Sequence, residues 1–493
     1  MNSWPKLSTF TLSAAVAILA LLHALPSHAD AEDRRGESEF AALPTSAQVK
    51  IYAVIARDIS AGETIATDEP LGRKPGAPQT QAPDSQGHRA ALTASDGAKN
   101  NELGYSVAIS GNTVVVGAPY ATVDSKYAQG AAYIFQKPPS GWTDMTEVAK
   151  LTSSEAAENA FFGSSVAISG DTVVVGSDGA NVGAGQYQGA AYVFVRPAGG
   201  WTNMKETAKL TASDGATYAY FGSSVAVSGD TVFIGADGAT VGGNKYQGAA
   251  YVFEKPATGW TSTSVFNAKL TASGGIHNSQ LGYSISSSGS TIAVGARSAQ
   301  IAANAQQGAV YLFSRPAGGW ATATETAKLT ASDGAKDDQL GYSVSMDGDT
   351  VAAGAPGTHS RGALYVFVKP ASGWTKMSQT AKLTASDGAP DDQLGYSVSV
   401  SGGLVAGGAV GAEIAGNDRQ GAVYAFVKPA KGWSDATQAA RLTVTGGHSR
   451  DELGASLSTN GEFIVAGAVD ATVGKNPFQG ALHVFESPVA QLQ

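Results

Sequence analysis

The stretch from Phe162 to Asp178 reads FGSSVAISGDTVVVGSD, and it decides the fold because it returns. LGYSVAISGNTVVVGAP starts at Leu103, FGSSVAVSGDTVFIGAD at Phe221, LGYSISSSGSTIAVGAR at Leu281 and LGYSVSMDGDTVAAGAP at Leu340. Weaker copies start at Leu394 and Leu453, so the spacings are 59, 59, 60, 59, 54 and 59 residues. A fixed period of that size is the mark of an array or a propeller.

Each copy spells out short strands. In the first, Tyr105, Val107 and Ile109 alternate with Ser106, Ala108 and Ser110, as a strand with unlike faces does. Ser110-Gly111-Asn112 is a tight turn, Ser169-Gly170-Asp171 in the next copy, with glycine supplying a positive φ. The run TVVVGA, 113–118, predicts a strand buried on both faces. GAAYIF, 130–135, is a third strand, KPPSGW a Pro/Gly turn, and AKLT, 149–152, a fourth strand at the blade edge, where Lys150 discourages further pairing.

Four antiparallel strands, seven times over, predict an all-β, seven-bladed β-propeller. Its blades start near residues 103, 162, 221, 281, 340, 394 and 453. A solenoid is the alternative, and the chain ends decide against it. The last copy stops after ESPVAQLQ with no fourth strand, while AALTASDG, 90–97, matches AKLTASDG and precedes the first copy. The surplus strand at the front equals the missing one at the back. Residues 90–95 are therefore expected to complete the seventh blade and close the ring, within a propeller of residues 89–493.

The motif FG-x-S-V-A-I-S-G-D-T-V-V-V-G-A-P resembles the FG-GAP repeat, which builds the propeller of integrin α chains and recurs in exported bacterial proteins. Phe162-Gly163 and Phe221-Gly222 keep the first pair; Gly117-Ala118-Pro119 and Gly354-Ala355-Pro356 keep the end. The resemblance covers Leu103 to Phe485. It implies an interaction module. In integrin-like units the first hairpin often carries an Asp-rich calcium loop. Here it has shrunk to one acid, such as Asp171, Asp230 or Asp349, which cannot supply the six or more oxygens calcium takes. Calcium is therefore not carried over, and no metal or other cofactor is expected.

Bulk properties narrow the function. Of 493 residues, 61 are glycine and 15% are charged, fitting many short strands. A net charge of −9 argues against nucleic acid as a partner. No cysteine means no disulfide, thiolate metal site or cysteine nucleophile. Lys6, the apolar stretch from Phe10 to Leu25 and Ser27-His28-Ala29 form a secretory signal over residues 1–29, cleaved before Asp30; an uncleaved anchor is the alternative. The mature chain is expected to be secreted, periplasmic or on the cell surface, without membrane insertion. Residues 30–88 differ in composition. They hold a charged EDRRGESEF, the Pro/Gln-rich linker GRKPGAPQTQAPDSQG and, at 49–72, a stretch resembling part of a SAF-type fold, too short for that whole domain and open to a hairpin reading.

Candidate binding residues sit on the loops joining strands two to three and four to one, which share a face. That face is acidic: Asp96, Glu102, Asp214, Asp333, Asp337, Asp338, Asp387, Asp391, Asp392, Asp451 and Glu452 stand against Lys99, Lys336 and Arg450. His277, His359 and His448 fall on it in three separate blades. Solvated turn chemistry and a cationic or divalent ligand are the competing readings. Trp142, Trp201, Trp260, Trp320, Trp374 and Trp433 precede the fourth-strand leucine by nine or ten residues. They are expected to pack at the lower corner of each blade, or else to serve as sugar platforms. No residues are expected to be catalytic: the histidines show no metal-ligand spacing and no nucleophile elbow is present. His483 replaces a repeat tyrosine and reads as a packing change. The expected function is an exported interaction module, adhesive or scaffolding, with an unidentified protein or glycan ligand. A propeller lectin is the alternative, and an envelope enzyme or accessory subunit the third reading.

Overall fold

The computed structural model describes residues 87–155 and 157–489. The signal segment and the 49–72 stretch lie outside them. Seven antiparallel sheets follow one another along the chain. Blade one has strands Ser106–Ser110, Thr113–Ala118, Ala131–Gln136 and Ala149–Leu151, hydrogen-bonded in that order. The first strands of blades two to seven begin at Ser165, Phe221, Leu281, Ser343, Leu394 and Leu453. Each first strand is innermost, laced to its neighbour by serine bonds: Ile109 N donates to Ser458 Oγ (3.1 Å), Met346 N to Ser286 Oγ (2.9 Å) and Val400 N to Ser345 Oγ (3.0 Å). The second strand is buried along its whole length in blade one, as TVVVGA implies.

The ring closes as the strand count requires. His88–Thr93 pairs antiparallel with Ala481–Glu486 and supplies the fourth strand of blade seven. It starts two residues earlier than expected, because His88 still pairs with Phe485 across a bulge.

The cores lie in the seams between blades, one apolar cluster to each seam. The repeat glycines set the seam geometry. Gly163, opening blade two, directs its carbonyl at Gly117 of blade one; a Cβ on Gly117 would lie 1.9 Å from that oxygen. Ser106 Oγ donates to the same oxygen at 2.8 Å. The serine bond recurs from Ser165 to Gly222, Ser224 to Gly282, Ser284 to Gly341, Ser343 to Gly395, Ser397 to Gly454 and Ser456 to Gly104, at 2.6–2.8 Å. The last bond joins blade seven to blade one. The receiving glycines have φ between +86° and +97°, a left-handed region that side chains rarely enter.

One expectation needs correction. The fourth strand is not a bare edge. In six blades it takes a parallel partner from the third-to-fourth loop of the next blade: Leu92 faces Met145, Leu151 Met204, Leu210 Thr263, Leu270 Ala323, Leu329 Met377 and Leu383 Ala436. The tryptophans ride on these loops. Each is only 6–8% exposed and is packed in the apolar cluster of a seam. Trp320 of blade four, for example, meets Phe233 of blade three edge-on at 5.3 Å. Among the described residues the seam between blades six and seven has neither a tryptophan nor this loop, because the third and fourth strands of blade seven come from opposite ends of the described chain.

Removing residues 30–96 is expected to lower the melting temperature markedly, while removing 30–80 leaves it nearly unchanged; calorimetry decides. Gly176→Ala, whose Cβ would lie 2.1 Å from the Gly222 carbonyl, should destabilise by about 2–4 kcal/mol. Gly199→Ala, with no atom within 4 Å, should change stability by less than about 1 kcal/mol in a denaturant titration.

Candidate ligand face

The acidic loops that lead from each fourth strand into the next blade have partners in the fold for most of their carboxylates. The Asp of each Ser-Asp-Gly loop acts as a clamp across the next seam. Asp96 accepts from Tyr133 Oη (2.9 Å) and Lys150 Nζ (2.5 Å). Asp214 does the same with Tyr251 (3.1 Å) and Lys269 (2.7 Å), and Asp333 with Tyr365 (3.1 Å) and Lys382 (2.5 Å). Glu155 holds Lys209, and Asp387 holds Arg441, at 2.7 Å. The Lys150 and Lys382 partners hold the Asp96 and Asp333 carboxyls below the usual range, against the opposing effect of burial.

The paired acids further along serve as turn acceptors. Asp338 and Asp392 are buried and accept from Ala335 N and Ala389 N, each at 2.7 Å. Asp451 accepts from His448 N at 2.7 Å; burial raises the carboxyls of both Asp338 and Asp451. Glu452 pairs with Arg419 at 2.8 Å. Exposed among the candidate acids and histidines are Asp96, Asp214, Asp333, Asp337, Asp391, His277, His359 and His448. The short Thr358–Ser360 turn of blade five brings His359 into the field of Asp338, and Ser360 O accepts from Asp391 N. Asp451 and Glu452 lie a blade further on, so the candidates form two groups. Among the described residues, no group of three or more His, Asp or Glu side chains converges as a metal site. The hairpin acids each meet a single cation instead: Asp171 faces Arg196 (3.4 Å), Asp230 Lys255 (3.1 Å) and Asp349 Lys369 (3.3 Å).

A second feature of this face lies nearer the axis. The residue after the opening glycine lies at the beginning of the innermost strand or just before it, and it is tyrosine in four blades. Tyr283, Tyr342 and Tyr396 form a consecutive column with ring centres 5.1 and 5.0 Å apart. The Arg297 guanidinium lies 4.3 Å from the Tyr283 ring centre, within cation–π range. Tyr105 meets Tyr120 at 6.2 Å, and Tyr120 meets Phe161 at 5.5 Å. Burial, then Glu102, Asp178, Tyr127 and Tyr396, drive the Tyr120 phenol upward. Tyr105 remains 39% exposed. The motif reading passes over these rings, although a signal exists. The position reads Tyr, Ser, Ser, Tyr, Tyr, Tyr, Ala across the blades, whereas the glycine before it never varies.

The closing blade lacks the clamp altogether. His483, Ala91 and Gly446 stand where five of the other blades carry Tyr, Lys or Arg, and an acid. His483 instead bonds His88 of the closing strand at 3.1 Å. Burial and the neighbouring His88 push His483 down to about 3, with Asp144 opposing weakly.

A closed ring of blades with its longer loops on one face is a propeller interaction scaffold. The chain belongs to the FG-GAP repeat family, whose repeat matches residues 87–135, 145–194, 204–253, 265–313, 323–367 and 377–426, more than half of its length. Each matched segment starts at or near a fourth strand and ends in the third strand of the next blade, so the sequence unit straddles a seam. A search of curated proteins found no match. Family and fold make the chain a protein-interaction module in general.

The His88–His483 contact makes ring closure sensitive to acid. A histidine with a lowered native pKa adds stability that is full above the unfolded value of 6.5 and declines as pH falls from there toward about 3. The wild type should lose about 3 kcal/mol between pH 7 and pH 4 from this site. His483→Tyr, restoring the residue of the other blades, should flatten that part of the profile in urea titrations.

Proposed function

We propose that this chain is an exported, non-catalytic interaction module in adhesion or scaffolding, which binds a protein partner through the axial part of the loop face and works without a resident metal or cofactor. The observation that carries this reading is the tyrosine column with Arg297, bordered by Tyr105 and Tyr120. Tyrosine and arginine dominate the energetics of protein recognition because they bury large areas at low entropic cost while keeping a polar tip. These positions differ between blades where the scaffold positions repeat. The lectin alternative drew on the tryptophans, whose rings are covered in the seams.

Export and adhesion are tested separately. Mass spectrometry of the protein from cell fractions should find a chain beginning at Asp30 outside the cytoplasm; full-length cytoplasmic protein would overturn export. Surfaces coated with the mature chain should retain cells of the producing culture. Tyr105→Ala, at a ring 39% exposed, should cut retention about tenfold while leaving the melting temperature within a few degrees. Retention equal to that on bare surfaces would overturn adhesion, and retention unchanged in the variant would overturn the assignment to the axial rings.

A further inference from the structure

The clamp of blade four has lost only its acid. Tyr311 and Lys328 occupy the Tyr and Lys positions, but the loop before them reads Ala272-Ser273-Gly274-Gly275, with Gly274 in place of Asp96, Asp214, Asp333 or Asp387. Lys328 Nζ stands 5.2 Å from the Tyr311 ring centre, as Lys269 stands 5.2 Å from Tyr251. Among the described residues it makes none of the ion pairs that Lys150, Lys209, Lys269, Lys382 and Arg441 make. A Cβ on Gly274 would meet no atom within 4 Å, so the place of the missing carboxylate is open.

A second substitution adds positive charge to the same corner. The loop that pairs with each fourth strand offers a side-chain oxygen to the backbone N–H of its lysine position: Asn203 to Lys150, Ser262 to Lys209, Thr322 to Lys269 and Asp435 to Lys382. At Lys328 that position is Lys376. Burial holds the Lys328 ammonium below its usual range, and Lys376 adds to the effect. Glu325 opposes it, but both Glu325 oxygens already accept from Ser273, at 2.8 and 2.7 Å.

We infer that the corner formed by Gly274, Tyr311, Lys328 and Lys376 is a carboxylate-binding site, filled by an external carboxylate where five other blades use their own. The template is internal to the molecule: the phenol and ammonium are arranged as in the clamps that hold Asp96, Asp214 and Asp333. Blade seven shows the other outcome of losing the acid. There the cation and the tyrosine are gone as well, and nothing is left to be neutralised. The site is separate from the axial rings and does not depend on the function proposed for them.

The probes are sodium acetate and the capped peptide acetyl-Ser-Asp-Gly-amide, each compared with sodium chloride at equal ionic strength on the mature chain. For the wild type, acetate or peptide should raise the melting temperature by about 1–2 °C beyond chloride. Gly274→Asp should raise the melting temperature without any ligand and abolish both responses; Gly274 does not have a left-handed φ, so aspartate is tolerated there. Lys328→Gln should abolish the responses without supplying an acid, which keeps the test decisive should Gly274→Asp fold poorly. A response to the peptide at far lower concentration than acetate assigns the site to a chain-borne carboxylate; equal responses assign it to free small acids. No response beyond chloride in the wild type, or equal responses in all three proteins, overturns the site.

Discussion

The contact on which the ring depends is the approach of one glycine carbonyl to another glycine, sealed by a serine hydroxyl. Gly163 O lies where a Cβ of Gly117 would be, and Ser106 Oγ donates to it. Both glycines are obligatory for different reasons. Gly117 must lack a side chain to admit the carbonyl, whereas Gly163 must reach a positive φ to aim it. The hydroxyl satisfies an acceptor that the seam would otherwise bury unpaired, which is costly. The two ends of the repeat motif are thus the two sides of one joint between neighbouring blades.

Everything outward of that joint follows its spacing. Because first strands are held at a constant separation, the second and third strands of adjacent blades meet in a narrow apolar seam. Tryptophan from the following blade fills it, and the loop carrying that tryptophan adds a parallel strand to the blade behind. The seam between blades six and seven is the exception, and the chain's break explains it. Cutting the chain between third and fourth strands removes the loop that would carry a seventh tryptophan. That seam keeps its innermost serine bond, from Ser397 to Gly454, while the ring itself closes through the pairing of His88–Thr93 with the third strand of blade seven and the bond from Ser456 to Gly104 of blade one.

Much of this was legible in the chain. Period and strand pattern lead to the blades, and the AALT stretch before the first copy leads to the closing strand. What escaped the reading shares a cause. The parallel pairing of Leu151 with Met204, the clamp from Asp333 to Lys382 and the seam position of Trp320 each join residues about 50 or more apart, or belong to neighbouring blades. Periodicity within one copy carries no signal for such links. The acidic loops mislead for the same reason: composition counts Asp338 and Asp392 as available charge, while the fold uses them to close turns.

Seven copies in one chain also supply an internal control for reading function. Where every copy keeps a residue, as at the opening glycines, the joint explains it. Where copies lose a set of residues together, as His483, Ala91 and Gly446 replace the clamp of blade seven, the loss is balanced and leaves no charge behind. A position that varies alone has neither explanation. A half-buried cation without its clamp acid bears a desolvation cost that Glu325 only partly offsets, so drift alone would be expected to remove Lys328 once Asp was lost. Tyrosine stands after the opening glycine in four blades, while blades two and three keep the same inner strand with serine there. Recognition is therefore best sought at those unbalanced positions, since the repeating ones are fully accounted for by the ring itself.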